Sequence, residues 1–236
     1  MKALILAAGL GSRLKHKTKA IPKAMIDVGG QPIITYQISA LLKNNINQIG
    51  VVLGYKSEVL KSYLVNKYSN IHFSFFLNKD YATTNSAYSF YLASSFIKTE
   101  SYIHLNCDVL FSSELLSGVI NSNHENVLAV NLNEKLTDNM ELVTLNELNR
   151  IIIMDNKYYN SAAGKAYGVA KLSSESTKII LNRLERYHIN SDFNQNYYGI
   201  IRQVLSDVDY HCFESKNMTL TEINTLTDYD RVIKNL

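Results

Sequence analysis

Short apolar runs alternate with stretches of helical period along the first half of the chain. Residues 2–7, KALILA, are apolar almost throughout, as a strand covered on both faces requires. In PIITYQISALLKNN (32–45), Ile33, Ile34, Ile38, Leu41 and Leu42 recur at helical spacing, and Pro32 suits a first turn. INQIGVVLG (46–54) reads as a second strand. KSEVLKSYLVNKY (56–68) reads as an amphipathic helix with Ser57 as its cap. IHFSFFLN (71–78) gives a third strand, TNSAYSFYLASSF (84–96) a helix, and SYIHLNCDVLF (101–111) a fourth strand that carries Asp108.

Strands and helices in this order imply right-handed crossovers and a parallel sheet with helices on both faces. After residue 124 the pattern turns more antiparallel, with strands expected at 126–132, 140–145, 150–155 and 165–172. Helices at 174–188 and 193–205, a strand at 207–214 and a last helix at 226–236 complete the chain. The fold expected is α/β: a Rossmann-like, mixed but mostly parallel sheet with a smaller antiparallel part that binds substrate. With no linker or repeat, residues 1–236 read as a single domain. Its nucleotide-binding half spans about 1–123 and its acceptor-binding half about 124–236. Ligands of such sheets sit at the carboxyl ends of the strands, where the loop after the first strand and Asp108 both fall.

A net charge of +3 is too small for wholesale nucleic-acid binding. Its distribution says more. Lys2, Arg13, Lys15, Lys17, Lys19 and Lys23 all precede the first acid, Asp27, so an anion is expected at the N-terminal loop. Cys107 and Cys212 are far apart in apolar runs and read as buried thiols of a reducing compartment. No run reaches the roughly 18 apolar residues of a membrane span. The opening apolar run is too short for a secretory signal, so a cytoplasmic protein without membrane partners is expected. The six histidines form no metal-ligand spacing.

LAAGLGSRL (6–14) opens like a dinucleotide fingerprint, but Leu14 stands where the third glycine belongs, and GxxxxGK[ST] is absent. Glycines at 9 and 11 also suit an ordinary tight turn. They equally let backbone N–H groups approach phosphate oxygens, with Arg13 adding a planar guanidinium and Lys23 following Pro22. Those donors together are enough for a polyphosphate.

On these residues the chain resembles a known family. KALILAAGLGSRL followed by PKAMIDVGGQPIITYQI is similar to the N-terminal signature of nucleoside-triphosphate transferases, the sugar-phosphate nucleotidyltransferase superfamily. FFLNKDYATTNSAYSFYLA and LTEINTLTDYDRV resemble segments of the small phosphocholine cytidylyltransferases, with the related phosphoglutamine cytidylyltransferases beside them. The resemblance implies that CTP and a small phosphorylated acceptor condense to a CDP-linked product and pyrophosphate, for surface-polysaccharide decoration. It implies roles as well. Leu6, Ala8, Gly9, Gly11 and Ser12 would line the nucleotide; Arg13 would hold the β- and γ-phosphates; Lys23 would bridge the reacting phosphates. Asp108 occupies the position of the metal-binding aspartate for Mg²⁺, with the second ligand at Asn224 or the nearby Glu222. Tyr81, Asn85 and Ser86 would meet the base, although Asn85 is equally placed to cap a helix.

The acceptor end departs from that pattern. Phosphocholine enzymes carry a DLYWD element, and the stretch here reads QNYYG, keeping aromatics as Tyr197 and Tyr198 but replacing the acids by Gln195 and Gly199. Glu141 is left to meet a positive group, and both tyrosines are equally suited to plain packing. Choline, ethanolamine and glutamine phosphates all stay open as acceptors. So do a sugar-1-phosphate nucleotidyltransferase using another NTP, a catalytically silent nucleotide-binding subunit, and a homo-oligomer.

Overall fold

The structure, a computed structural model, describes residues 1–189 and 194–235. In chain order the elements are β1 (Lys2–Ala7), β2 (Asp27–Val28), β3 (Gln31–Pro32), α1 (Ile33–Lys43), β4 (Gln48–Leu53), α2 (Ser57–Lys67) and β5 (His72–Leu77). Then come α3 (Ser86–Leu92), α4 (Ser94–Ile97), β6 (Tyr102–Asn106), β7 (Val109–Phe111), α5 (Ser113–Asn121) and β8 (Val127–Asn131). β9 (Leu142–Leu145), β10 (Ile151–Asp155), β11 (Gly164–Leu172), α6 (Ser174–Ile189), α7 (Tyr197–Gln203), β12 (His211–Glu214), β13 (Leu220–Glu222) and α8 (Leu226–Lys234) follow.

The central sheet runs β10-β9-β11-β6-β1-β4-β5, with β8 beside β11 and β12 beside β8. β1 pairs in parallel with both β4 and β6, and β5 extends that parallel set. β11 turns the sheet antiparallel against β6, β8 and β9, as the change of pattern after residue 124 predicts. β1 alternates its faces. Ala3, Ile5 and Ala7 pack with residues of α1, α2 and α5, while Leu4 and Leu6 pack with residues of α3, α6 and α7. Helices therefore cover both faces, and β1 is buried along its whole length. Because β11 is antiparallel to β6, its amino end lies at the same edge as the carboxyl ends of β1 and β6.

Several local expectations are corrected. Ser57 is the first helical residue of α2, and the cap position is Lys56 in left-handed conformation with no side-chain cap. Pro32 precedes the first turn of α1 as its cap residue and closes the small β2–β3 pair. The helix expected at 84–96 breaks at Ala93 into α3 and α4. Asp108 lies in a turn between β6 and β7, where the backbone leaves the central sheet so that β7 can pair with β13. Cys212 is only half-buried, whereas Cys107 is buried. Phe193, at the start of the expected 193–205 helix, lies outside the described residues. Among the described residues no helix is long and apolar enough to cross a membrane.

Candidate active site

A cleft of about 560 Å³ opens at the carboxyl edge of β1 and β6. Its wall includes every residue expected to touch nucleotide, acceptor or metal: Leu6, Ala8, Gly9, Gly11, Ser12, Arg13, Lys23, Tyr81, Asn85, Ser86, Asp108, Glu141, Tyr197, Tyr198, Glu222 and Asn224.

The loop after β1 turns on Gly11, whose φ of +63° disfavours any side chain. Thr18 Oγ1 and the Leu14 amide both donate to its carbonyl, each at 3.0 Å. The Tyr55 amide holds the Ala8 carbonyl at 3.0 Å, and a methyl placed on Gly9 would meet nothing within 4 Å. The loop is thus pinned from behind and open in front. Lys23 begins a 3-10 turn directly after Pro22, and its residue is buried.

Chain segments far apart in sequence meet on Lys23. Its Nζ donates to Asp108 Oδ2 at 2.5 Å and to Asn224 Oδ1 at 2.8 Å, and Arg13 donates to the same Asn224 oxygen at 2.7 Å. The turn that carries Asp108 is held from three sides. Gln37 Nε2 donates to the carbonyls of Asn106 and Val109, each at 2.8 Å; the Cys107 amide donates to the Leu6 carbonyl; and the Ile223 amide donates to the Asp108 carbonyl at 2.9 Å. Asn224 leaves β13 just before α8, whose Thr225–Asp228 capping box also binds the Asn224 amide. Asp108 Oδ1 is buried without a hydrogen-bond partner. A carboxylate oxygen left so is costly unless a cation meets it, which fits Mg²⁺ held by few protein groups together with phosphates and water. Among the described residues no three acids, histidines or cysteines cluster as a metal site.

The expected base segment is built by Asn78, which the sequence reading missed. Its buried amide donates to Thr84 Oγ1 and Ser89 Oγ, and its oxygen accepts from the Asp80 amide. Asn85 does cap α3, accepting from the Ser86 amide at 2.8 Å, and its nitrogen reaches the Asn194 carbonyl. The Ser86 hydroxyl accepts from the Tyr197 amide at 2.8 Å. Tyr81 meets Tyr55 edge to face at 6.1 Å.

The two tyrosines of the acceptor end are packed. Tyr197 stacks on His104 at 3.9 Å, and the Tyr198 hydroxyl donates to the Tyr167 carbonyl. His104 is buried, which pushes its imidazole down to about 3, and its Nε2 lies 3.2 Å from Asn106 Oδ1 at the cleft wall. Glu141 accepts from Arg202 at 2.5 Å; burial raises its carboxyl and the guanidinium pulls it back down. Glu222 accepts from Lys165 at 3.1 Å. Neither Lys165 nor Arg202 was singled out in the sequence, although Arg202 is a lone cation inside an apolar run and Lys165 one of two buried lysines in β11.

The nucleotidyl transferase family model matches residues 2–137. CTP:phosphoglutamine cytidylyltransferase of Campylobacter jejuni is 39% identical over 135 residues, which cover 55% of this chain and about half, 52%, of that protein's length. Choline-phosphate cytidylyltransferase of Streptococcus pneumoniae is 30% identical over 241 residues, covering 100% of this chain and 99% of that protein. The solved CTP:phosphocholine cytidylyltransferase from Streptococcus pneumoniae shares the fold, with a TM-score of 0.82 at 23% identity, over 99% of this chain and 98% of that one.

Proposed function

The chain belongs to the nucleotidyl transferase family, and we propose that it is a cytidylyltransferase joining CTP to a small phosphomonoester. One observation carries the reading: Asn224 Oδ1 gathers Arg13, next to the glycine loop, and Lys23, from the turn after Pro22, while Lys23 also holds Asp108. Cytosine as the base is supported by the two cytidylyltransferase relatives.

An oxygen of the acceptor phosphate attacks the α-phosphorus of CTP. The bond from that phosphorus to its bridging oxygen breaks, and pyrophosphate leaves with the electron pair. The second pKa of a phosphomonoester is about 6, so the nucleophile is already charged near neutrality and needs no general base. What the protein must supply is positive charge where two anions meet. Arg13 and Lys23 rest on protein oxygens that phosphate oxygens can replace. Asp108 and Asn224 would hold Mg²⁺, whose charge would neutralise the phosphates. Glu222, tied to Lys165, is less suited to that task.

At the acceptor end, Arg202 neutralises the acid that a quaternary ammonium would need. With Glu141 already paired to Arg202, a permanently cationic tail gains less there than a zwitterionic one, which favours a phosphoglutamine-like compound over phosphocholine. The CDP-linked product would be an activated donor for decorating a surface polysaccharide, made in the cytoplasm where CTP is found.

The test is pyrophosphate release with Mg²⁺, the four NTPs being crossed with phosphocholine, phosphoethanolamine, phosphoglutamine and glucose-1-phosphate. Release is expected with CTP and one amine- or amino-acid-bearing phosphate. Release with a sugar phosphate and another NTP overturns the substrate assignment.

A further inference from the structure

β11 is buried along all nine of its residues, yet its second residue is Lys165. Only 11% of that side chain is exposed. Its Nζ sits 4.2 Å from the centre of the Tyr167 ring and donates to Glu222 Oε2 at 3.1 Å. Burying an ammonium is costly unless its donors are used, and lysine has three. The side chain borders the cleft, so a ligand can supply the remaining acceptors.

Its place in the cleft points to which ligand. Glu222 and Asn224 are two residues apart at the end of β13, so they share one side of an extended backbone, about 6–7 Å apart. Asn224 carries Arg13 and Lys23, and Glu222 carries Lys165. A single short segment therefore sets three cations in a row. Arg13 and Lys23 adjoin the glycine loop. Lys165 stands one step further on, beside the acceptor end: it pairs with Leu142, and the amide of its neighbour Ala166 donates to the Glu141 carbonyl at 2.7 Å.

On the nucleotidyl-transfer reading above, we infer that Lys165 binds the phosphate of the acceptor and that Glu222 is its positioning residue, not a metal ligand. The nucleophile is thereby charge-paired before attack, in line with the phosphates that Arg13 and Lys23 hold.

Calorimetric titration tests this without turnover. CTP is first bound to the Mg²⁺-free protein, and phosphocholine, phosphoethanolamine, phosphoglutamine and glucose-1-phosphate are then titrated in turn. Wild type is expected to bind at least one ester, and Lys165→Met to weaken it about 30-fold while CTP affinity stays within about twofold, the scale of one lost charge-assisted hydrogen bond. Lys165→Arg should retain most of the affinity. Should the Met variant melt early, Lys165→Gln keeps a polar end without the charge. Glu222→Gln should weaken the ester and leave the Mg²⁺ affinity of the CTP-loaded protein unchanged. Unchanged ester affinity in Lys165→Met overturns the inference, as does equal loss of ester and CTP, a fall in Mg²⁺ affinity in Glu222→Gln, or a CTP-loaded wild type that binds no ester. A wild type that does not bind CTP overturns the parent reading and this one with it.

Discussion

Replacing Arg202 by Met leaves Glu141 in place with its partner gone. The side chains of the pair are only 22% and 16% exposed, at 2.5 Å. Breaking a fully buried pair costs about 3–5 kcal/mol, and exposed pairs contribute about 0–1 kcal/mol. This pair, partly exposed, lies between those limits, so a loss of about 2 kcal/mol is expected, or roughly 4–8 °C in Tm for a chain of this size. The loss should depend on pH. Burial already raises the Glu141 carboxyl and Arg202 opposes that rise, so removing Arg202 raises it further. A carboxyl whose folded pKa exceeds its unfolded value binds more protons in the folded state, and stability then falls as pH rises through the window between the two. Arg202→Met should therefore melt closer to wild type at pH 5 than at pH 8, by differential scanning calorimetry. Adding Glu141→Gln should recover more than half of the loss at pH 8. An equal drop at both pH values, or a double variant no more stable than the single one, would refute the reasoning.

Lys23→Met should lower pyrophosphate release by about 10²–10³-fold, the scale of one lost donor to developing charge, while circular dichroism shows the chain folded; a loss below tenfold would remove Lys23 from the chemistry. The two loop glycines should separate stability from binding. Gly11→Ala forces a left-handed residue and puts a methyl 3.0 Å from Thr18 Cγ2 and 3.2 Å from Lys23 Cβ, so about 1–2 kcal/mol of stability should go, read as a lower Tm. Gly9→Ala meets nothing within 4 Å, so its Tm should match wild type while titration shows weaker CTP binding. The same Tm loss in both variants would contradict the geometry.

The parallel half of the sheet was legible because each strand carries its own signal. KALILA is covered on both faces and shows as an unbroken apolar run, and the helix spacing in 32–45 is local too. What escaped depends on partners far along the chain. β7 and β13 are three residues each and exist by pairing Phe111 with Leu220, so no local period announces them, and the Asp108 turn was read as continuous strand. α5 was passed over although Ser112 caps it, accepting from the Leu115 amide. The glycine loop, Arg13 and Lys23 declared themselves by residue type. Lys165 and Arg202 did not, since a charge within an apolar run looks like a surface position until the neighbouring strand or helix buries it.

The joint between Lys23 and Asn224 also sets a schedule. These residues are 201 positions apart, and synthesis at about 5–20 residues per second puts roughly 10–40 s between them. Through that interval the glycine loop and Lys23 exist as nascent chain without the amide that anchors both cations. The cleft is completed only by a segment made long after the glycine loop, in which β13, Asn224 and the capped start of α8 arrive together. A chain interrupted before Thr219 would carry every strand of its central sheet and its whole N-terminal signature, yet lack the Asn224 anchor of Arg13 and leave Lys23 held by Asp108 alone. Competence at this site is thus a test that translation ran past Asn224.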